Sequence, residues 1–492
     1  MPSSSQPPST RSDEALTADV VVIGAGVLGC AIAARLSRTT ASVVVLEARG
    51  DVGEEASKGN AGVAPSYYAA PGTMEARLIA DSYRRWPEIT RKLDVTYRQL
   101  GGIITALDDE QAANLPEEHE LARGVGAAAE ILTGDEVRAL EPLVSDEAVA
   151  GLWLAEEGVI DPLRLTAGYA ELAARNGARF RFLAPVTSIE RDGDRVAEVR
   201  APGVRVRARF VVNASGVRLG AVSALAGGEA FHMWPRKGEY WLLDREFGRR
   251  LSHIVFAAPS AESKGLHVVP TTHGNALLGP SADEIPDPAD KATHEGLLAS
   301  VFERAQRLVP SISLDLAIKT WAANRPASDE KVVARVDATV RNLLHVANRS
   351  SGVGASPGTA DHVLGLLREA GLDAGERAGA ADEIPATPRL FGHADPASLV
   401  AQDPRYGQVV CVCEQVSAAE ITASLTSRVP ARSIDGVRKR TRATAGRCQG
   451  SVCAAGVAFL CSLRWNQRPE DVLAIDGGAL GVTGGPDAGA RA

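Results

Sequence analysis

The stretch "DVVVIGAGVLGCAIAARLSR", Asp19–Arg38, decides the fold of the first part of the chain. Its opening residues are apolar and mostly β-branched, which is typical of a buried parallel strand. The Gly-rich segment from Gly24 to Gly29 follows that strand and opens a run with helical apolar spacing. "ASVVVLEA", residues 41–48, then predicts a second buried strand. Strand, Gly-rich turn, helix and strand together predict a βαβ unit that binds a dinucleotide.

The three glycines of this GxGxxG fingerprint have separate expected tasks. Gly24 permits the tight turn, Gly26 lets the backbone approach a pyrophosphate, and Gly29 allows close packing of helix on strand. The free N–H groups at the start of the helix would face the phosphates. Glu47, at the end of the second strand, is expected to accept a hydrogen bond from a ribose hydroxyl. The fingerprint by itself does not distinguish NAD from FAD.

Strand and helix patterns alternate through the following 350 or so residues, which predicts an α/β class. Further strands are expected near residues 208–216 and 342–358. Between them, "GEYWLLD", "HIVF" and "GLHVVPTTHGNALLGP" predict an antiparallel sheet. After Gly371 the composition becomes rich in Ala, Gly, Pro and charge, which is typical of a linker.

Bulk composition excludes several classes of protein. The chain has 492 residues, 45% of them hydrophobic, which suggests about three domains. A net charge of −8 argues against nucleic-acid binding, which needs a basic surface. No apolar run reaches the roughly 18 residues of a membrane helix. Residues 1–17 are polar and predict a disordered tail with no secretory signal, so we expect a cytoplasmic protein, with peripheral membrane contact left open.

Five of the six cysteines fall between Cys411 and Cys461. Cys411 and Cys413 are followed, after 34 residues, by Cys448 and Cys453. Clustered cysteines in a reducing compartment are more often ligands than disulfides. Zinc is one alternative, although its sites generally use CxxC pairs.

Helix signals surround both cysteine pairs. Ser417 and Glu420 have the spacing of a capping box, so a helix is expected to start directly after the first pair. "CAAGVAFLCSL" predicts a second helix with Cys453 in its first turn, where helix amides stabilise a thiolate.

Three later segments resemble the flavin-contacting segments of the D-amino-acid-oxidase-like flavoprotein superfamily. They are "EARGDVGEEASKGNAGVAPSYYAAPGT", "VVNASG" and "LLHVANRSSGVGASPGTADHV". The resemblance covers about residues 19–367 and implies FAD, bound by a Rossmann-type domain interleaved with an antiparallel-sheet substrate domain. Besides the fingerprint, the residues it places against the cofactor are Ser57, Asn60, Gly216, Ser351 and Gly352.

Within that superfamily, "KGEYWLLD" and "LHVVPTTHGNALLGPSAD" look most like the anaerobic glycerol-3-phosphate dehydrogenase group and its hydroxy-acid relatives. The resemblance implies oxidation of a small anionic alcohol by hydride transfer to FAD. Glycerol 3-phosphate is the first choice, and a 2-hydroxy acid such as 2-hydroxyglutarate is the second. The sequence departs from many relatives after Gly62, where Val63, Ala64 and Pro65 stand in place of a "GxxH" histidine.

For the substrate site, Arg325 in "AANRPAS" stands where the superfamily often places an anion-binding arginine. A guanidinium can hold a carboxylate or phosphate at two points. His267 and Tyr240 are candidates for the catalytic base. Weaker candidates are His273 as base and Lys237 and Arg349 as anion ligands.

The late cysteines lie in "CVCE" and "TRATAGRCQGSVC", which resemble the bacterioferritin-associated-ferredoxin-like [2Fe-2S] domain over about residues 409–463. That resemblance implies a small helical domain in which Cys411, Cys413, Cys448 and Cys453 hold one cluster. We also expect the basic run "RKRTR", residues 438–442, and Arg447 to lie beside the cluster and raise its potential.

The resulting domain prediction has an oxidoreductase over residues 18–372, a linker over 373–407, a [2Fe-2S] domain over 408–466 and a flexible tail over 467–492. The FAD-binding parts are 18–85, 151–220 and 321–372, and the substrate-domain parts are 86–150 and 221–320. Electrons are expected to leave FAD through the cluster to a quinone, an electron-transfer protein or a partner subunit. Two alternatives remain: an amine or amino-acid dehydrogenase of the sarcosine or proline type, and an electron-transfer subunit of a multi-subunit flavoenzyme.

Overall fold

A computed structural model describes residues 14–259, 265–475 and 478–479 of the chain. Within these ranges the first sheet has eight strands, and Glu14–Ile23 lies in its centre, parallel to both Val43–Leu46 and Val204–Asn213. The four residues Val43–Leu46 are all buried, as expected of a parallel strand covered on both faces. The remaining strands of this sheet are Arg179–Arg181, Ser188–Asp192, Arg195–Ala201, Val332–Val336 and Leu343–Asn348.

Helices cover the first sheet. Val27–Ser37 packs between Pro162–Arg175 and Ser356–Glu369, and its apolar residues are almost wholly buried. This packing forms the largest hydrophobic core and confirms the predicted Rossmann-type α/β domain. The other helical elements near this sheet are Met74–Tyr83, Trp86–Lys92, Gly216–Arg218 and Leu219–Leu225.

The second sheet has nine strands among the described residues and contains the segments predicted to form an antiparallel sheet. It is mixed, because Ile254–Ala257 pairs in parallel with Gly102–Ala106. Its longest pairing joins Met233–Leu243 to Ala317–Ser328 over their whole length. The other strands are Gly102–Ala106, Ala129–Thr133, Ala150–Leu154, Ile254–Ala257, His267–Pro270, Ala276–Gly279 and Asp283–Glu284. Its helical elements are Asp109–Ala113, Leu115–Gly124, Gly134–Leu140, Arg245–Gly248, Glu295–Leu308 and Leu314–Leu316. A small third sheet is formed by Val63–Ala64, Tyr97–Gln99 and Gly158–Ile160.

The C-terminal domain is mainly helical and has its own core, which includes Cys411, Cys453 and Cys461. The predicted capping box is present: Ser417 and Glu420 exchange both hydrogen bonds at the start of Ala418–Thr426. Its other helical elements are Pro396–Gln402, Pro404–Gly407, Ile434–Thr441, Ala454–Trp465 and Pro469–Asp471. Its short strands are Val409–Cys411, Val416–Ser417, Leu473–Ile475 and Gly478–Ala479.

Several predicted boundaries differ from the structure. Residues 14–17, assigned to the tail, begin the first central strand. The strands Ala150–Leu154 and Ala317–Ser328 belong to the second sheet, although most of their residues were assigned to FAD-binding parts. Each strand joins its sheet through hydrogen bonds to partners distant in sequence, which local patterns do not reveal.

The ends of the C-terminal domain differ as well. Helix Pro396–Gln402 lies within the predicted linker and contributes Leu399 to a small core with Tyr406 and Ala419. Val472, within the predicted flexible tail, is fully buried in the C-terminal core. Residues 1–13 and 480–492, also assigned to tails, lie outside the described residues. No helix in the described part of the chain combines the length and apolar character needed to cross a membrane.

Candidate flavin groove and cluster-binding segment

The fingerprint turn lies between the first central strand and the helix Val27–Ser37. Gly24 has a φ of +100°, and a Cβ there would lie 2.6 Å from the Ala214 carbonyl oxygen. A Cβ on Gly29 would lie 2.0 Å from the Gly24 carbonyl oxygen. Both positions therefore exclude every side chain, and the helix packs directly on the turn. Gly26 is the N-cap residue of the helix, so the free amides of the first turn open beside it.

A groove of about 650 Å³ begins at this turn. Its walls come from the fingerprint, the end of the second strand, the loop near Ser57 and the turn near Gly216. Residues 346–350 and 352–353 complete the lining. All three segments that resemble flavin-contacting segments thus meet at one groove that starts at a helix N-terminus. This arrangement fits a dinucleotide with its pyrophosphate at the fingerprint.

Glu47 connects the fingerprint turn to the end of the second strand. Its carboxylate oxygens accept hydrogen bonds from the backbone amides of Ala25 (2.6 Å) and Arg49 (2.7 Å). Burial raises the pKa of this carboxyl, while both amide contacts oppose that change. The Ser57 hydroxyl accepts a hydrogen bond from the Val27 amide at 2.9 Å, in the first turn of the helix. Both side chains line the groove and brace the turn at which it begins.

The other predicted cofactor residues divide into two groups. Asn60, Gly216 and Gly352 line the groove. Ser351 is not among the lining residues, because its hydroxyl donates to Glu75 at 2.6 Å inside a buried network with Asn348. Ser351 thus stabilises the turn that carries its lining neighbours.

Arg325 lines the same groove, at the end formed by strand Ala317–Ser328. Its Nε and Nη2 atoms donate to the backbone carbonyls of Arg236, Lys237 and Ser281 at distances of 2.9 to 3.3 Å. Within the described residues its Nη1 group donates no hydrogen bond. The guanidinium is therefore held rigidly by backbone, and one amino group remains available to a ligand. The expected two-point grip would have to use the two hydrogens of Nη1.

Tyr240 and His267 lie close to Arg325. The Tyr240 ring stacks on Trp321 at 5.3 Å, and the His267 ring meets the Phe256 edge at 4.8 Å. Burial, with a smaller effect of the Arg325 charge, lowers the pKa of His267 to about 4. Burial raises the pKa of Tyr240, so at neutral pH the imidazole is neutral and the phenol is protonated.

The three weaker candidates have different surroundings. Lys237 is fully buried and donates to the Asp290 carboxylate at 2.7 Å and the Ala292 carbonyl at 2.9 Å, so its charge is already used. Arg349 lines the groove. The His273 Nε2 atom contacts the buried carboxylate of Asp161 at 2.8 Å, away from Arg325.

The four late cysteines lie on two loops that approach each other. Cys413 lies near Cys448 and Cys411 lies near Cys453, so each pair takes one cysteine from each loop. Among the described residues, no group of three or more Cys, His, Asp or Glu side chains is arranged to hold a metal ion. A Cβ on Gly446 would lie 2.3 Å from the Cys413 Cβ, so the loops approach as closely as glycine permits. Cys453 is the N-cap residue of helix Ala454–Trp465, one position before the predicted first turn.

The surroundings of the thiols differ in their effect on the pKa values. Backbone amides of Val452 and Gly450 lower the pKa of Cys448 by hydrogen bonding. Burial raises the pKa of Cys453 to about 12. Two neighbouring cysteine pairs, with amides directed at Cys448, supply the kind of ligand that an iron–sulfur cluster uses.

The basic run "RKRTR" does not have the predicted arrangement around the cysteines. Arg440 forms a two-point ion pair with the buried carboxylate of Asp51, at 2.7 and 2.8 Å. Lys439 pairs with Asp51 at 3.0 Å and with Glu54. These cations therefore dock the C-terminal domain on the loop after the second central strand.

Two other cations hold the thiol segment itself. Arg442 donates to the buried carboxylate of Glu414 at 2.7 Å, and so does Arg245 of the second sheet. Arg245 also donates to the Cys413 carbonyl at 3.3 Å. Glu414 thus reduces the predicted electrostatic effect of Arg442 on the cluster. Arg447 is exposed and lies 3.7 Å from the Asp244 carboxylate.

Sequence reasoning missed the acidic half of this interface. Asp51 and Glu54 lie in "GDVGEE", whose charge is opposite to that of "RKRTR". That complementarity was the available signal. It also missed Arg218 and Asn324 as lining residues of the groove, for which the sequence carries no signal.

Comparison with known proteins identifies the class. Residues 19–366 match the family described as FAD dependent oxidoreductase, and residues 409–460 match the BFD-like [2Fe-2S] binding domain. The chain belongs to the FAD-dependent oxidoreductase family and carries a C-terminal [2Fe-2S] domain. It is an oxidoreductase whose cofactors are FAD and a [2Fe-2S] cluster.

Individual relatives share both parts of the chain. A glycerol 3-phosphate dehydrogenase of Caloramator mitchellensis is 31% identical over 89% of this chain and 92% of its own. Subunit A1 of an anaerobic glycerol-3-phosphate dehydrogenase from Haloferax volcanii is 25% identical over 89% of this chain and 82% of its own. The fold is similar to that of L-alpha-glycerophosphate oxidase from Mycoplasma pneumoniae, solved with FAD bound. The TM-score is 0.70 at 23% identity, over 76% of this chain and 99% of that one.

Proposed function

We propose that the protein is a dehydrogenase of a small anionic alcohol, with glycerol 3-phosphate as its substrate and a 2-hydroxy acid such as 2-hydroxyglutarate as the second choice. The observation that carries this proposal is the 31% identity to a glycerol 3-phosphate dehydrogenase across both domains. The position of Arg325 in the groove supports it, since Nη1 can hold a phosphate or carboxylate oxygen.

The side chains near Arg325 suit oxidation of an alcohol. FAD, when bound, supplies a two-electron acceptor for the hydrogen on the alcohol carbon. Arg325 would fix the anionic end of the substrate, and its three backbone hydrogen bonds would limit the orientations available to it. His267, kept neutral by burial, would accept the hydroxyl proton, and Tyr240 would act as a protonated donor. Neither side chain lines the groove, so the substrate would have to reach beyond Arg325 to meet them.

An anaerobic absorbance experiment tests this proposal. Glycerol 3-phosphate should bleach the flavin of the purified protein and then reduce the cluster. 2-Hydroxyglutarate, sarcosine and proline serve as competitors in the same assay. Reduction by the amines without reduction by either hydroxylated anion would replace the proposal by an amine dehydrogenase. Reduction only by a protein partner would make the chain an electron-transfer subunit.

A variant pair tests the role of Arg325. Arg325→Lys keeps the charge and removes the amino group that is free for the anion, so KM should rise about tenfold, as expected for the loss of one charge-assisted hydrogen bond. Arg341→Lys, on an exposed ion pair with Asp194, is the matched control and should leave KM unchanged. Flavin content and the unfolding temperature report whether each variant folds. An unchanged KM in a folded Arg325→Lys protein would remove Arg325 from the substrate site.

The electron acceptor would approach at the cysteine loops. Val412 and Val452, next to the thiols, are 70% and 72% exposed, which leaves apolar surface for contact with a quinone, an electron-transfer protein or a partner subunit. We place this reaction in the cytoplasm, with peripheral membrane contact required only for a membrane-bound quinone. Fractionation of cells, with assay of each fraction against quinone and protein acceptors, tests both statements.

A further inference from the structure

A second cavity, of about 290 Å³, lies where the flavin loop, the substrate sheet and the cluster domain meet. It shares Glu54, Glu55 and Asn60 with the flavin groove, but Arg325, Tyr240 and His267 do not line it. Its lining includes Lys58 from the flavin loop, His273 from a turn of the substrate sheet, Lys319 and Trp321 from strand Ala317–Ser328, and Arg438 and Gln449 from the cluster domain. The cavity thus adjoins the flavin groove, and residues of the C-terminal domain form part of its wall.

The side chains that line this cavity include more cations than carboxylates. Six of its lining side chains are Lys or Arg and four are carboxylates. Each carboxylate already has a partner: Glu54 and Asp435 pair with Lys58, Glu55 pairs with Lys291, and Asp161 contacts the His273 imidazole, whose pKa burial lowers. The excess charge that remains is positive.

Lys319 carries that excess. Within the described residues its ammonium makes neither a hydrogen bond nor an ion pair. Burial lowers the pKa of Lys319 to about 8, and the nearby charges of Arg438 and Lys58 act in the same direction, while Asp435 opposes them. Trp321 supplies a second unused donor, because its buried Nε1–H has no acceptor among the residues that the structure describes. Two unpaired donors therefore belong to residues that line one cavity.

We propose that this cavity is a binding site for a small oxyanion of phosphate size, held by the Lys319 ammonium and the Trp321 indole N–H, with Arg438 adding positive charge. An oxyanion supplies the acceptors that both donors lack and offsets the excess charge. Because Lys319 and Trp321 belong to the second sheet and Arg438 to helix Ile434–Thr441, the bound anion would bridge the substrate and cluster domains.

Competitive labelling of lysines tests the proposal on the intact protein with both cofactors. The protein is treated with an amine-specific reagent at pH 8 over a range of inorganic phosphate concentrations, and each labelled lysine is quantified by mass spectrometry. Phosphate should suppress labelling of Lys319 at a saturable site. Lys291, which lines the same cavity but is paired with Glu55, is the internal control and should be unaffected. Equal labelling of Lys319 at every phosphate concentration would overturn the proposal.

Variants separate this site from the substrate site. Lys319→Met should weaken phosphate binding about tenfold, as for loss of a charge-assisted hydrogen bond, while Lys291→Met should not. Trp321→Phe tests the second donor in the same way, with Lys319 labelling as its readout. The KM for glycerol 3-phosphate should be the same in Lys319→Met as in the parent protein. A raised KM would make the cavity part of the substrate site and overturn its assignment as a separate one.

Two sources of the anion are distinguished by repeating the titration with glycerol phosphate. Stronger protection of Lys319 by the ester would identify a phosphomonoester site, and stronger protection by phosphate would identify a site for the free ion. Both results support an oxyanion site. Protection by neither, in a protein that retains both cofactors, refutes it whatever the substrate of the flavin proves to be.

Discussion

The buried ion pair between Asp51 and Arg440 should control docking of the cluster domain. Asp51 is 2% exposed and Arg440 is 7% exposed, and 389 positions separate them in the chain. Arg440 holds the pKa of the Asp51 carboxyl well below its usual range, against the opposing effect of burial. The substitution Asp51→Asn removes the negative charge while keeping the shape of the side chain.

The expected cost follows from the burial of the cation left behind. Removing one partner of a buried pair costs about 3–5 kcal/mol, because the other charge stays uncompensated. Here Asn still offers one acceptor to Arg440, and Glu54 still pairs with Lys439, so the lower figure applies. About 3 kcal/mol corresponds to a population of the undocked form that is about 150-fold larger.

Lys439 reports that population, because its side chain is 2% exposed in the docked state. When opening is fast relative to labelling, the rate of amine labelling follows the open fraction, so it should rise about 150-fold in Asp51→Asn. Asp194→Asn, in an exposed pair with Arg341, is the control and should change the rate little. A rise below about fivefold in Asp51→Asn would mean that the pair contributes no more than a surface ion pair, and the reasoning would be wrong.

Three further changes have definite expected outcomes. Burial raises the pKa of Glu157 from 4.5 to about 7. The folded state therefore binds this proton more tightly than the unfolded state, so the free energy of unfolding falls as the pH rises from 4.5 through 7. Glu157→Gln should therefore raise the free energy of unfolding by up to about 3 kcal/mol at pH 8 and little at pH 4, measured by denaturant titration; equal effects at both pH values would contradict the shift. Cys448→Ser should abolish the cluster absorbance and leave the flavin bound, whereas Cys461→Ala should keep both; retention of the cluster in Cys448→Ser would remove that cysteine from the ligand set. Glu47→Gln weakens the contacts that brace the fingerprint turn, so the apoprotein should bind FAD about tenfold more weakly. Glu190→Gln, at an exposed position, is the control. Unchanged FAD affinity in Glu47→Gln would refute the bracing role.

Local patterns were sufficient for the elements that contain the fingerprint and the cysteines. The strand before Gly24 and the helix after Gly26 follow from a continuous apolar run, a turn that only glycine can form, and a helical period. The Ser417 and Glu420 capping box needs only a spacing of three residues. These features depend on neighbours within one or two turns, so sequence alone predicts them.

Patterns failed where a residue's partner is remote. Ser351 has the composition of a flavin-contacting turn, yet its hydroxyl is used by Glu75, which lies 276 positions away. The basic run near Arg440 has the composition expected beside an anionic cluster, yet Asp51 and Glu54 take its central charges. Composition shows which charges exist, and packing decides which of them meet.

The sequence by itself determined a dinucleotide-binding α/β fold from Gly24, Gly26 and Gly29, and a ligand-binding segment from the spacing of its cysteines, while the resemblance of longer segments indicated FAD and a [2Fe-2S] cluster. Those signals are local because turn geometry and ligand spacing are local. Only the tertiary structure decided that Asp51 anchors the cluster domain. It also decided that, within the described part of the chain, Arg325 keeps a single free amino group and Lys319 lacks a partner in its cavity. Each of these depends on which remote side chains and carbonyl groups burial brings within hydrogen-bonding distance, and that is settled only when the whole chain is packed.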